Sequence, residues 1–358
     1  MIPSLTIGIN MNRIRSLVIS LAGWGFIATV LYICAALTLY VLVSLSPWPF
    51  RHFPLTYYQN FHYFTGGRNI WQYDPACAQT DVDLVYKPRD GACHFTNLEF
   101  DTTLNFDALG RNVPARAKAD MSLPGIAVLG DSYAMGWGVE DEETFANVMQ
   151  TSIRRPVYNL AVSSYGTERE LKRLALSGLA DKVDTVFILY CDNDLGENRT
   201  LLTPADYATA ARGFNDSIAI GEGMASFGSR TEFLNTLLME VVMAPVEDMV
   251  RRLINRPEYS PPGGPTFADH IGPLRQTLLR YQDLLAGKQV YVGYVRVAGT
   301  RFADFPAGRD PLLPNVTWLE PPMVQQDFFV IDDHLAAVGH RHLGEWLVAA
   351  LGTQQSKP

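Results

Sequence analysis

The sequence predicts an α/β domain built on a parallel sheet and preceded by one transmembrane helix. Three observations carry this. Leu17 to Leu45 is an uncharged apolar stretch; from Gly125 onward short apolar runs alternate with amphipathic segments; and the 358 residues are 47% hydrophobic and 18% charged. Such a chain buries a sizeable core in one or two domains. Its net charge of −8 and the lack of any Lys/Arg cluster speak against a nucleic-acid partner, which would concentrate cations on one face.

The stretch LVISLAGWGFIATVLYICAALTLYVLVSL lies between Arg15 and Arg51. At about 1.5 Å per residue it reaches roughly 43 Å, more than a hydrocarbon core of roughly 30 Å, so it tilts or extends into the interface. Tyr40 and Trp48 suit that interface. A cleaved signal peptide is the competing reading, but its apolar region runs about 7 to 15 residues and ends at small residues. Here the run is longer and ends in Ser46-Pro47-Trp48-Pro49. Arg13 and Arg15 before the span, against Arg51 and the usually neutral His52 after it, place the N-terminus inside by a small margin.

Residues 1–46 thus read as cytoplasmic N-terminus and anchor. Residues 47–122 read as an irregular, strand-containing lead-in, rich in aromatics, Pro, Asp and Asn. Cys77 and Cys93 there can close a disulfide in an oxidising compartment, the alternative being two unpaired thiols in a cytoplasmic protein. Cys34 falls in the span and Cys191 is isolated, so the cysteines offer no zinc-site spacing.

The expected strands are Ile126–Leu129, Val157–Leu160, Thr185–Tyr190, Val290–Val295 and Val316–Leu319. Thr167-Glu168-Arg169-Glu170 reads as a capping box opening a helix with Leu171, Leu174 and Leu176. A last helix, about Ala336 to Leu351, puts Val338, Leu343, Trp346, Leu347 and Ala350 on one face. A helical insertion at about 199–267 contains Leu234, Leu237, Leu238 and Val241, then a breaker run, Ser260 to Pro265. It packs on the α/β core, caps the active site or touches the membrane surface. Residues 353–358 are a tail.

The chemistry gathers at strand ends. Gly130-Asp131-Ser132 follows an apolar run and precedes a helix, a placement that exposes a serine beside unpaired backbone N–H groups. A tight turn with a capping serine looks the same, and the G-x-S-x-G elbow is absent. Three further segments follow the serine: NLAVSSYGTERE with Gly166, LYCDNDLGEN with Asn193, and VIDDHLAAVGHRHLGEWL with Asp332, Asp333 and His334. All lie where open α/β sheets collect ligands.

These four blocks resemble those of the SGNH (GDSL-like) hydrolase superfamily, which contribute Ser, Gly, Asn and His in that order. The resemblance covers about residues 123–352 and implies a three-layer α/β/α sandwich of the SGNH/flavodoxin-like kind. Carried over, it makes Ser132 the nucleophile, with oxyanion donors in the N–H of Ser132, the N–H of Gly166 and the amide of Asn193, and His334 the general base. GDSYAMGWGVEDEETF and SSYGTERE, with Cys77, Cys93 and Gly110-Arg111 in the lead-in, are similar to bacterial membrane-anchored members. The last block departs from the common pattern, because the position three before His334 is Ile331. Some envelope-associated relatives, glycan O-acetyltransferases among them, place the acid two before, which favours Asp332 over Asp333 here. In a third arrangement both acids only cap the last helix.

Other sites are weaker. His340 and His342 are spaced i, i+2 on a helix and face apart, so no metal is expected. Gly221-Glu222-Gly223 lacks the third glycine of a dinucleotide loop, and no cofactor is expected. Cys191 reads as a packing residue, with nucleophile as the alternative. The reading that follows is a serine esterase at the bacterial inner membrane, single-pass, its catalytic domain in the periplasm, cleaving an O-acyl ester of an envelope glycan or lipid. A transferase with the same residues would need a membrane partner to deliver the acyl donor. A non-catalytic anchored binding module is the third reading.

Overall fold

The computed structural model describes residues 11–52, 55–63, 70–201, 203–226, 237–243, 267–295 and 304–355. Two units divide them, one drawn from residues 1–64 and 228–256, the other from 65–227 and 257–358.

In the first unit, α1 (Met11–Ser44) is long and apolar enough to cross a membrane. Its side chains point largely outward, with Trp24, Phe26 and Leu31 more than 60% exposed. A water-soluble protein would bury such a surface. Toward its C-terminal end Ala36 and Val43 pack with Tyr58 of α2 (Leu55–His62) and with Val241 and Val242 of a π-helical turn, Leu237–Met243. The Tyr32 hydroxyl donates to the Val242 carbonyl at 3.0 Å.

The second unit opens with a hairpin of β1 (Ala78–Asp81) and β2 (Val85–Pro88). The main sheet collects β3 (Gly91–Thr96), β4 (Asp101–Asp107), β5 (Gly110–Arg111), β6 (Gly125–Gly130), β7 (Val157–Asn159), β8 (Val183–Tyr190), β9 (Gln289–Tyr294), β10 (Gly308–Arg309) and β11 (Val316–Leu319). Among the described residues their order is β10-β11-β9-β8-β6-β7-β5-β4-β3. The five expected runs, β6, β7, β8, β9 and β11, form its parallel centre. The lead-in supplies what the apolar pattern alone did not show: β3, β4 and β5 extend the sheet antiparallel. Cys77 and Cys93 form a disulfide within it.

Both faces of the centre are covered, which is why these strands read as continuous apolar runs. In β8, Phe187 and Leu189 join the cluster holding Phe145 and Met149 of α4 (Phe145–Ser152) and Leu343 and Leu347 of the last helix. Val186, Ile188 and Tyr190 join Leu171 and Leu174 of α5 (Thr167–Leu176) and residues of a later helix, Leu274 and Leu278. The period of two along the strand thus sorts its side chains into two cores. Leu176 and Val338, expected on apolar faces, are exposed.

The capping box does not form. Gly166 is the N-cap of α5, and α6 (Asp194–Thr200) supplies the acceptors: Asn198 Oδ1 for Glu168 N–H at 3.2 Å, and Glu197 Oε1 for Arg169 N–H at 3.1 Å. The Thr167 hydroxyl is drawn away to Asp194 Oδ2, 2.9 Å. Of the expected insertion, α7 (Pro204–Ser226) packs in this unit, Phe214 stacking on Tyr86 at 4.6 Å. Leu234 and the breaker run lie outside the described residues. α8 (Ala268–Arg280) covers the sheet, and α9 runs from Ala337 to Gln355, taking in the start of the expected tail.

Candidate active site

β6 ends at Gly130, whose φ of 145° lies outside the range of ordinary side chains. A Cβ there would come 2.5 Å from the Ala134 Cβ and 2.9 Å from the Leu189 carbonyl. Glycine therefore lets the strand turn at once into the short helix α3′ (Ser132–Met135). Asp131 caps it, accepting the Tyr133 N–H at 2.9 Å. Ser132 is its first residue and is 8% exposed. Its N–H has no intrahelical acceptor at this position and makes no hydrogen bond among the described residues.

The turn after α3′ is held from the lead-in. The buried Arg111 guanidinium donates to the carbonyls of Met135 (3.1 Å), Gly136 (2.8 Å) and Val139 (2.7 Å) and to Asp141 Oδ1 (2.8 Å). Gly110 before it lies against the Asn159 carbonyl with no room for a Cβ.

His334 lies between serine and acid. Its Nε2 is 2.7 Å from Ser132 Oγ, and its Nδ1 bonds Asp332 Oδ1. Asp332 is fully buried, and its other oxygen accepts the Trp137 indole N–H at 3.0 Å. Asp333 Oδ1 is farther from Nδ1, at 3.5 Å, on a side chain 39% exposed. The Tyr133 ring packs on the imidazole, centroids 4.8 Å apart. Glu99, which sequence reasoning missed, accepts the backbone N–H groups of Val330, Ile331 and Asp332 at 2.6, 2.8 and 2.8 Å.

A cavity of about 150 Å³ adjoins Ser132 and His334, walled by Ile70, Trp71, Gln72, Trp137, Ser163 and Ser164. Gly166 and Asn193 are not among its walls. Gly166 faces Glu197, where a Cβ would meet the Glu197 Cβ at 2.7 Å. Ser164 occupies the position beside the cavity, at φ 58° in the left-handed region. Its carbonyl accepts from Arg169 Nη2 at 2.5 Å, and its N–H makes no hydrogen bond among the described residues. Glycine would have announced such a backbone in the sequence; serine does not. The Asn193 amide donates to Asp131 Oδ2 at 2.9 Å, leaving its second N–H for other use.

Cys191 also reaches Asp131 Oδ2, at 2.9 Å. Burial, then the charges of Asp131 and Asp194, hold its thiol well above the usual range, so it stays protonated and a poor nucleophile. His340 is buried and accepts the Phe145 N–H at 3.3 Å; burial pushes its pKa down to about 3 and keeps it neutral. His342 meets Asp327 Oδ1 at 3.3 Å, so the two histidines serve separate surroundings. Gly221-Glu222-Gly223 is helical, inside α7.

The arrangement can move a proton from Ser132 Oγ to His334 while Asp332 orients the ring, and among the described residues it leaves the N–H groups of Ser132 and of the cavity-wall residue Ser164 without a hydrogen bond. No family model matches the sequence, and no curated protein matches it. Among solved structures, a protein of the G-D-S-L lipolytic family from Desulfitobacterium hafniense is 9% identical, over 63% of this chain and 98% of its own, with TM-score 0.32. A GDSL-like lipase from Bacteroides thetaiotaomicron is 9% identical over 66% of this chain and 92% of its own, TM-score 0.32. A GDSL-like lipase from Parabacteroides merdae is 12% identical over 66% and 99%, TM-score 0.33.

Proposed function

We propose that the chain is a membrane-anchored serine esterase that cleaves an O-acyl ester through an acyl-Ser132 intermediate. The observation that carries this is the continuous chain from Ser132 Oγ to His334 Nε2, 2.7 Å, and from His334 Nδ1 to the buried Asp332. Removing any link breaks general-base activation of the hydroxyl. His334 takes the serine proton as Oγ bonds the ester carbonyl carbon, then returns it to the departing alkoxide. Water repeats the cycle on the acyl-serine. The N–H groups of Ser132 and Ser164 favour the anionic oxygen, with Asn193 and Gly166 the donors implied by resemblance.

The apolar α1 and the Cys77–Cys93 disulfide support an outward-facing domain on a single span, hence an ester of an envelope glycan or lipid as substrate. Labelling with a fluorophosphonate tests the nucleophile: the native chain is expected to label and Ser132→Ala to fold yet stay unlabelled. Equal labelling of both would remove Ser132 from the mechanism.

A further inference from the structure

The size and lining of the cavity beside Ser132 constrain which half of an ester enters it, granted the serine-esterase reading. The cavity is open to solvent on one side, and its volume near 150 Å³ matches a benzene-sized molecule, about six heavy atoms. That is well under the roughly 300–1,000 Å³ of ordinary ligand pockets. The alcohol of a glycan or lipid exceeds this volume by itself, so the half that enters is the acyl group, and it is short.

The walls agree. Gln72 is clamped on two serines of the opposite loop, its amide donating to Ser164 Oγ at 3.1 Å and its carbonyl oxygen accepting from Ser163 Oγ at 3.2 Å. Neighbouring Trp71 is 1% exposed, packed on Phe106 with ring centroids 5.4 Å apart. The end formed by Trp71 and Gln72 is therefore held from both sides, and moving it aside for a longer chain breaks these contacts.

We propose that this cavity is the acyl subsite and admits groups of two or three carbons, acetyl or propionyl, while excluding medium and long fatty-acyl chains. An octanoyl group has more carbons than the cavity has room for heavy atoms. The lead-in, rather than the parallel sheet, would then set acyl length through Ile70, Trp71 and Gln72.

The test uses the full chain in detergent micelles and p-nitrophenyl esters from acetyl to dodecanoyl. Expected is a fall in kcat/KM of at least about 100-fold between acetyl and octanoyl, with the acetyl ester at or near the maximum. Octanoyl or dodecanoyl esters cleaved as well as acetyl would overturn the assignment. Enlarging the wall gives a second reading. Trp71→Ala removes a core ring and can unfold the domain, so the half-exposed Ile70→Ala is made beside it. Either folded variant should raise the octanoyl-to-acetyl ratio about tenfold, and an unchanged ratio in Ile70→Ala counts against the subsite. Failure of the esterase reading looks different: no ester of any length is cleaved and Ser132 is unlabelled, which takes this proposal with it.

Discussion

The carboxylate of Glu99 accepts the backbone N–H of Asp332 at 2.8 Å, although 232 residues separate the two in sequence. With the N–H groups of Val330 and Ile331 it closes three hydrogen bonds on one carboxylate. The strand connection of the lead-in thus fixes the backbone from which Asp332 and His334 project. Glu99→Ala should lower kcat about 10- to 100-fold with KM near that of the native protein, since small displacements of a catalytic ring are costly and Glu99 does not wall the cavity. An unchanged kcat would make Glu99 a fold residue only.

Asp332→Asn should cost far more activity than Asp333→Asn. Asparagine at 332 loses the charge that stabilises the imidazolium and favours the wrong tautomer, an effect of order 10⁴ in kcat in a comparable triad. Asp333 is the longer and more exposed contact. Steady-state kinetics on both variants decide it; equal small losses would leave the triad without a carboxylate.

Arg111→Ala should destabilise the second unit by about 3–5 kcal/mol, because it leaves the buried Asp141 charge without its cation, held only by donors of Asn105 and Asn112, and takes the guanidinium donors from three carbonyls. Arg111→Lys should recover little, having no planar fork. Denaturant unfolding measures the difference, and a loss below about 1 kcal/mol would contradict the staple.

Glu170 carries a pH dependence. Both its carboxyl oxygens are buried without a partner among the described residues. Burial, then the nearby charges of Asp194 and Asp131, push its pKa well up. A raised acid pKa means the folded state holds the proton more tightly than the unfolded chain. The associated stability is present below the unfolded value, about 4.3, and is lost as pH rises through the folded one. Glu170→Gln should therefore match the native Tm near pH 4 and exceed it at alkaline pH. Parallel Tm curves for the two proteins would refute this.

The Cys77–Cys93 bridge closes a short loop, and Cys77→Ser with Cys93→Ser should cost about 2–4 kcal/mol. On native protein in cells, maleimide should reach neither thiol until reductant is added, and a C-terminal alkaline phosphatase fusion should be active. Immediate labelling with an inactive fusion would put the domain in the cytoplasm.

Local signals sufficed where the chain's own periodicity decides structure. The five strand runs of the sheet centre are readable because burial on both faces leaves few polar positions, and the apolar stretch of α1 because it carries no charge over a length that can cross a bilayer. Gly130-Asp131-Ser132 is readable because a strand turning sharply into a helix needs that glycine. The remaining features depend on residues far apart in sequence. Antiparallel β3, β4 and β5 join the sheet through backbone pairing that leaves little trace in composition. α5 is capped by Asn198 and Glu197 because α6 packs against it, overriding the local box. Ser164, not Gly166, lies beside the cavity, and Glu99 grips the Asp332 segment. No spacing rule encodes either, since each is fixed by which loops the closed sheet brings within hydrogen-bonding distance.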